Sequence, residues 1–239
     1  MRIGLVNQST HVSVQQLHQM AQAIRLQVDQ DLCPPWERSF PTIAIYRTVA
    51  AIPATTWPIV LMDTIADQPE GVLGFHTEDK GGKLSGIVAV EPELDAGGEI
   101  LTGDWSVCSV LSHEILEMII DPNCQLWASD ASRRLYSFET CDPVEGPTYV
   151  KDGCSVANFV LPAWFDPLAA DNAKHDHLGL LTKPFSHLST GYVVYMSAGV
   201  VHQVGGEDAP EHRIALKERE ASRLSQYAMS MHYIARPEA

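Results

Sequence analysis

Apolar residues change their spacing several times along the chain, and each change marks an element. Residues 2–6 form a short apolar run that reads as a strand. Ser13 then opens a helix, with Gln16 three positions on as its capping-box partner. Leu17, Met20, Ala21, Ile24 and Val28 give that helix one apolar stripe, ending near Asp31. Cys33-Pro34-Pro35-Trp36 is expected to break it. Short apolar runs at 43–46, 59–62, 70–76 and 87–90, bounded by Pro, Gly or charged residues, read as strands. A polar turn occupies 77–83, and 95–103 is a flexible connector. Residues 106–121 return to helical periodicity and stop at Pro122.

Beyond Pro122 the texture is different. Residues 125–128 and 134–140 read as a hairpin around Asp130-Ala131-Ser132. Residues 149–153 lead by a turn into an extended run at 155–161. Pro, Gly and His are then frequent through residue 190, the composition of long ordered loops, and 191–196 is strand-like. From about residue 210, Ile214, Ala221, Leu224, Ala228 and Met231 recur at helical intervals, with Arg213, Lys217, Arg219 and Arg223 on a solvated face. The order predicts an α+β fold: a mixed twisted sheet with a long N-terminal helix and a second, functional helix, then a loop- and strand-rich C-terminal half. No internal repeat is present. The reading is one domain, 1–239, with subdomains 1–122 and 123–239 and a cleft between them.

Composition narrows the function classes. A formal charge of −14 argues against a nucleic-acid partner, because phosphate neutralisation needs a basic surface. No apolar run approaches the roughly 18 residues of a membrane span, and the first run is too short for a signal peptide, so a cytoplasmic protein is expected. Five cysteines, an odd number without paired spacing, are read as reduced thiols, with Cys141 and Cys154 the pair to check. Oligomeric state is open.

The chemistry concentrates in Ser112-His113-Glu114-Ile115-Leu116-Glu117, inside the second helix. His113 and Glu117 are four apart and share a face, with Cβ atoms about 6 Å apart. Glu114 is turned roughly 100° from His113, beside that face. Val107, Leu111, Ile115 and Met118 form the apolar side; Ser106, Ser109, His113 and Glu117 form a polar one. A polar stripe on so hydrophobic a helix is costly unless satisfied, either by a metal or by a hydrogen-bonded cluster. Imidazole plus carboxylate suits Zn²⁺ or another divalent ion. A catalytic zinc needs a third protein ligand, and the acid-rich run Phe138–Glu145 is the best source: Glu139 first, Asp142 as its alternative. Asp121 lies two helical turns from His113 and ties down the helix end. His175 and His177 are weaker loop candidates. His76 is read as a strand-end histidine, and Tyr192, Tyr195 and His202 as packing residues.

This spacing resembles the H-E-x-x-H motif of the zincin metallopeptidases, with Glu117 in the second ligand place. More narrowly, Ser112-His113-Glu114-Ile115-Leu116-Glu117 followed by Asp121-Pro122 resembles a metallopeptidase-like group with the pattern S-H-E-x-x-E-x-x-x-D-P. Glu139-Thr140-Cys141-Asp142 matches an E-x-x-D element found downstream in some of its members. The resemblance covers about forty residues, and it implies a zincin-like fold. It also implies an edge strand before the active helix that holds an extended substrate by backbone pairing, a place taken here by Ile87, Val88, Ala89 and Val90.

The expected function is a zinc-dependent metallohydrolase of the peptidase class, acting on a peptide or protein. Metal-activated water attacks the peptide carbonyl and Glu114 is the general base. The alternative is a non-catalytic binding or assembly protein that keeps the metal helix as a structural element.

Overall fold

A computed structural model describes residues 1–65, 73–78 and 82–208. The strand and terminal helix expected at 70–72 and from residue 210 lie outside those residues. β1 (Arg2–Asn7) is followed by α1 (Val14–Gln27), which begins as its sequence requires. The Ser13 hydroxyl accepts the Gln16 amide at 3.2 Å, and Gln16 Oε1 accepts the Ser13 amide at 2.9 Å.

The helix does not break at the prolines. A π-helical turn, Val28–Leu32, carries the chain into α2 (Cys33–Trp36). Pro34 and Pro35 sit at the start of this new turn, where an amide hydrogen is not needed, so the ring costs no hydrogen bond. The stop comes at Glu37, in left-handed backbone at φ 50°.

β2 (Thr42–Tyr46), β3 (Trp57–Met62), β4 (Gly74–Glu78) and β5 (Leu84–Ala89) complete a five-stranded sheet with β1. Its order is β2-β1-β3-β5-β4; all pairs are parallel except antiparallel β4–β5. α3 (Glu91–Asp95) stands where a connector was expected to begin, and α4 (Val107–Ile120) is the motif helix.

In the C-terminal half, β6 (Trp127–Ser129) and β7 (Leu135–Ser137) form the expected hairpin. β8 (Thr148–Lys151) and β9 (Cys154–Ala157) form another, turning through Asp152 at φ 46° and Gly153 at φ 78°. Both central residues at positive φ match the twist of a two-residue hairpin. β10 (Tyr192–Ser197) continues by a similar turn, Ala198-Gly199, into β11 (Val200–Gly205), a strand the sequence reading did not assign. Together they give a four-stranded antiparallel sheet, β11-β10-β7-β6.

The packing explains the position of α4. α1 lies on β1 and β2, α4 lies on β4 and β5, and β9 packs against both helices. One core draws Ile3, Ile24 and Leu61 together with Leu111, Val156 and Phe159, so it runs across Pro122. A buried polar bridge pins the layers together. Ser112 Oγ donates to Gln27 Oε1 at 2.6 Å and accepts the Ala157 amide at 3.1 Å, while Gln27 Nε2 donates to the Ala157 carbonyl at 2.8 Å. Among the described residues no helix is long and apolar enough to cross a membrane.

Candidate metal centre

α4 is enclosed on nearly every side. Ser106 caps it, and its hydroxyl accepts the Ser109 amide at 3.1 Å. At the other end, the Arg38 guanidinium donates to the Ile120 carbonyl at 3.1 Å, a cation on the negative end of the helix. Asp121 secures the exit by accepting the amides of Gln125 and Leu126, the anchoring task expected of it. Such a helix holds its side chains in fixed places.

His113 and Glu117 do meet, and the third residue that joins them is Asp142. His113 Nε2 lies 3.2 Å from Glu117 Oε2 and 3.2 Å from Asp142 Oδ1. Asp142 opens a short 3₁₀ turn, Asp142–Val144, held by the Leu188 amide on the Pro143 carbonyl. Upstream, Phe138 stacks on Phe165 at 4.0 Å, and Trp36 meets both rings edge-on. The Cys141 amide donates to Glu117 Oε1 at 3.0 Å and so joins the loop to the helix. Side-chain exposure is 15% for His113 and 5% for Glu117 and Asp142. Only the imidazole edge reaches outward, into a small cleft of about 20 Å³ lined by Asp104, Ser109, Cys141, Glu145 and Asn158.

A second group adjoins the first. His76 on β4 places Nδ1 3.3 Å from Glu114 Oε2, and His76, Glu114 and Glu117 have ligand-type atoms all within 4.8 Å of one another. Glu117 therefore belongs to both groups. Glu139 is buried beside this second group and adds to the field at His76.

Charge follows from this crowding. Burial opposes a charged His113, but the Glu117 carboxylate and a hydrogen bond to Asp142 hold its pKa well above the ordinary value. Burial likewise opposes an ionised Glu117, yet the His113 charge and its hydrogen bond hold the carboxyl below its ordinary range. His76 is held high against its burial by Cys124 and Glu114. Burial pushes the Cys141 thiol far up. The buried acids Glu114, Glu117, Glu139 and Asp142 outnumber the two imidazoles.

The donor set fits a divalent ion. One imidazole nitrogen and two carboxylate oxygens are a zinc-type set that leaves a coordination position open. The 3.2 Å separations match the edge of roughly 3.3 Å between donors on a tetrahedron with bonds of about 2.0–2.1 Å.

The other sequence-predicted residues fall as follows. Glu139 is buried and belongs to neither group of potential ligands. Ile87, Val88, Ala89 and Val90 are not on a substrate-binding edge: β5 is hydrogen-bonded on both sides, with Ile87 registered against Val60 and Phe75. Its backbone is already used, and among the described residues the outermost strand on that side is β4. His175 is buried with Nδ1 on the Ala163 carbonyl, and His177 stacks on Phe159, so both pack rather than ligate. Tyr195 stacks on His202. All five cysteines are free and buried. His76 is the residue that sequence reasoning underrated. Comparison with protein-family models, with curated proteins and with solved structures gave no match.

Proposed function

We propose that this chain is a divalent-metal-dependent hydrolase of zincin type acting on peptide bonds, with zinc the expected ion. The observation that carries the reading is the convergence of His113, Glu117 and Asp142, from one helix and one distant loop. These three residues would hold the ion. When bound, it supplies a Lewis acid and makes water acidic enough to attack near neutral pH.

The rest falls to the chain's own groups. Glu114, next to Glu117 in the second group, takes the proton from water and returns it to the leaving amine. An extended substrate would pair with β4, the outermost strand of the five-stranded sheet among the described residues, rather than with β5. The reacting group would approach His113 from the small cleft lined by Asp104, Ser109 and Asn158.

The deep burial of Glu117 and Asp142 favours a second reading, a non-catalytic protein in which the ion only braces the fold. Zinc-loaded protein incubated with a mixture of fluorescence-quenched peptides separates them. Hydrolysis that is lost on chelation and in His113→Ala, with the variant still folded, supports the enzyme. A bracing ion gives no hydrolysis by either protein and a large fall in Tm in His113→Ala. No effect of the variant on metal content, turnover or Tm contradicts both.

A further inference from the structure

We infer that the centre takes two divalent ions rather than one, with Glu117 as the carboxylate bridge and with His76 and Glu114 as the further ligands of the second ion. The inference rests on the proposed ion at His113, Glu117 and Asp142, and it recasts Glu114 from proton acceptor to ligand.

Three observations carry it. First, the two groups of potential ligands share Glu117 and do not merge into one set, so a single ion does not engage all of them. A carboxylate has two oxygens, and the sharing of one between two ions is how paired metal sites are built. Second, His76 is oriented as a ligand histidine is. Nδ1 faces Glu114 at 3.3 Å, while Nε2 lies 3.4 Å from the Asp121 carbonyl and 3.1 Å from Cys124 Sγ. A ligand imidazole characteristically donates its other ring N–H to a carbonyl, which fixes the ring and aims the ligating nitrogen. Third, space has been kept for the Glu114 carboxylate. A Cβ at residue 74 would stand 2.9 Å from Glu114 Oε1 and 3.2 Å from Val110 Cγ1, so only glycine leaves that carboxylate where it is.

Donor chemistry names the class of ion. His76, His113, Glu114, Glu117 and Asp142, with Glu139 adjoining, make two imidazoles and four carboxylates, all but His113 buried. Two imidazoles with four carboxylates is the composition that holds paired iron or manganese in carboxylate-bridged proteins. Hard oxygen donors of this kind favour Mn²⁺ or Fe²⁺ at the second position over the thiolate-loving ions.

The test is metal stoichiometry and spin coupling in the full-length protein stripped by chelator, titrated with Mn²⁺ alone and with Zn²⁺ alone. Wild type should take up about two equivalents, and its bound Mn²⁺ should show the broadened, weakened EPR signal of a coupled pair. His76→Ala and the isosteric Glu114→Gln should each hold about one, with the sharp six-line signal of an isolated ion. The isosteric variant keeps the test decisive should His76→Ala misfold. One equivalent in wild type, lost in His113→Ala and retained in Glu114→Gln, overturns the second ion and leaves the first. Two equivalents in both wild type and Glu114→Gln also overturn the inference, because Glu114 is then no ligand. Binding that is absent, or indifferent to His113, overturns the proposed function and this inference together.

Discussion

Ser112, next to His113, has no role in the chemistry, yet its hydroxyl joins α1, α4 and β9 in one bridge. Ser112→Ala leaves the Ala157 amide and Gln27 Oε1 short of a partner in a dry interior, at a cost of about 2–3 kcal/mol, to be read by urea denaturation. Asp142→Asn keeps the shape of the third ligand but removes its charge, so divalent-ion affinity should fall by at least about tenfold in a calorimetric titration. Near-equal affinity would return Asp142 to a purely structural place. At this scale the i, i+4 pair was legible, because helical spacing alone puts His113 and Glu117 on one face. The choice between Glu139 and Asp142 was not. It depends on the 3₁₀ turn at Asp142, which sets this carboxylate, and not that of Glu139, against His113. His76 was further out of reach, since alternation along a strand says which face a residue takes but not which helix covers that face.

The elements of the site are held by close backbone approaches. A Cβ on Gly191 would stand 2.4 Å from the Pro143 carbonyl oxygen and 2.7 Å from that of Asp142. Gly191→Ala should therefore cost about 1–3 kcal/mol and also weaken metal binding, because the strain falls on the turn that presents Asp142. A stability loss with unchanged affinity would separate that turn from the site. Capping, turn and stripe signals read correctly at α1, the motif helix and the β8–β9 hairpin, where the cause is local. They failed where register or neighbour order decides. The π turn at Val28–Leu32 shifted the prolines to a helix start, and β4 rather than β5 took the edge. Neither outcome has a one-residue signature.

Across the whole molecule, the two halves meet in one core, and acid should loosen the N-terminal part through an identifiable clamp. Asp63 accepts from Ser9 Oγ at 2.5 Å, from the Thr10 amide at 2.8 Å and from Thr10 Oγ1 at 2.8 Å, tying the turn after β1 to the end of β3. The Ser9 hydroxyl, with Thr10, holds its carboxyl below the ordinary range. A carboxyl lowered by folding stabilises fully above its unfolded pKa of about 3.9 and loses that contribution as pH falls through the folded value. Asp63→Asn should thus be less stable than wild type at pH 7, and the gap should close on acidification below about pH 4; a gap independent of pH would contradict the clamp. The α+β class and the strand-rich second half were legible in the periodicities, while the crossing of the core over Pro122 was not, since it joins residues far apart in sequence.

The central claim is that the chain holds a divalent ion at His113, Glu117 and Asp142. Elemental analysis of protein loaded with zinc and dialysed, wild type beside His113→Ala, tests it most directly. Stoichiometric metal in wild type and about one equivalent less in a folded His113→Ala variant is the predicted result. Equal metal content in the two proteins, or none in either, would contradict it.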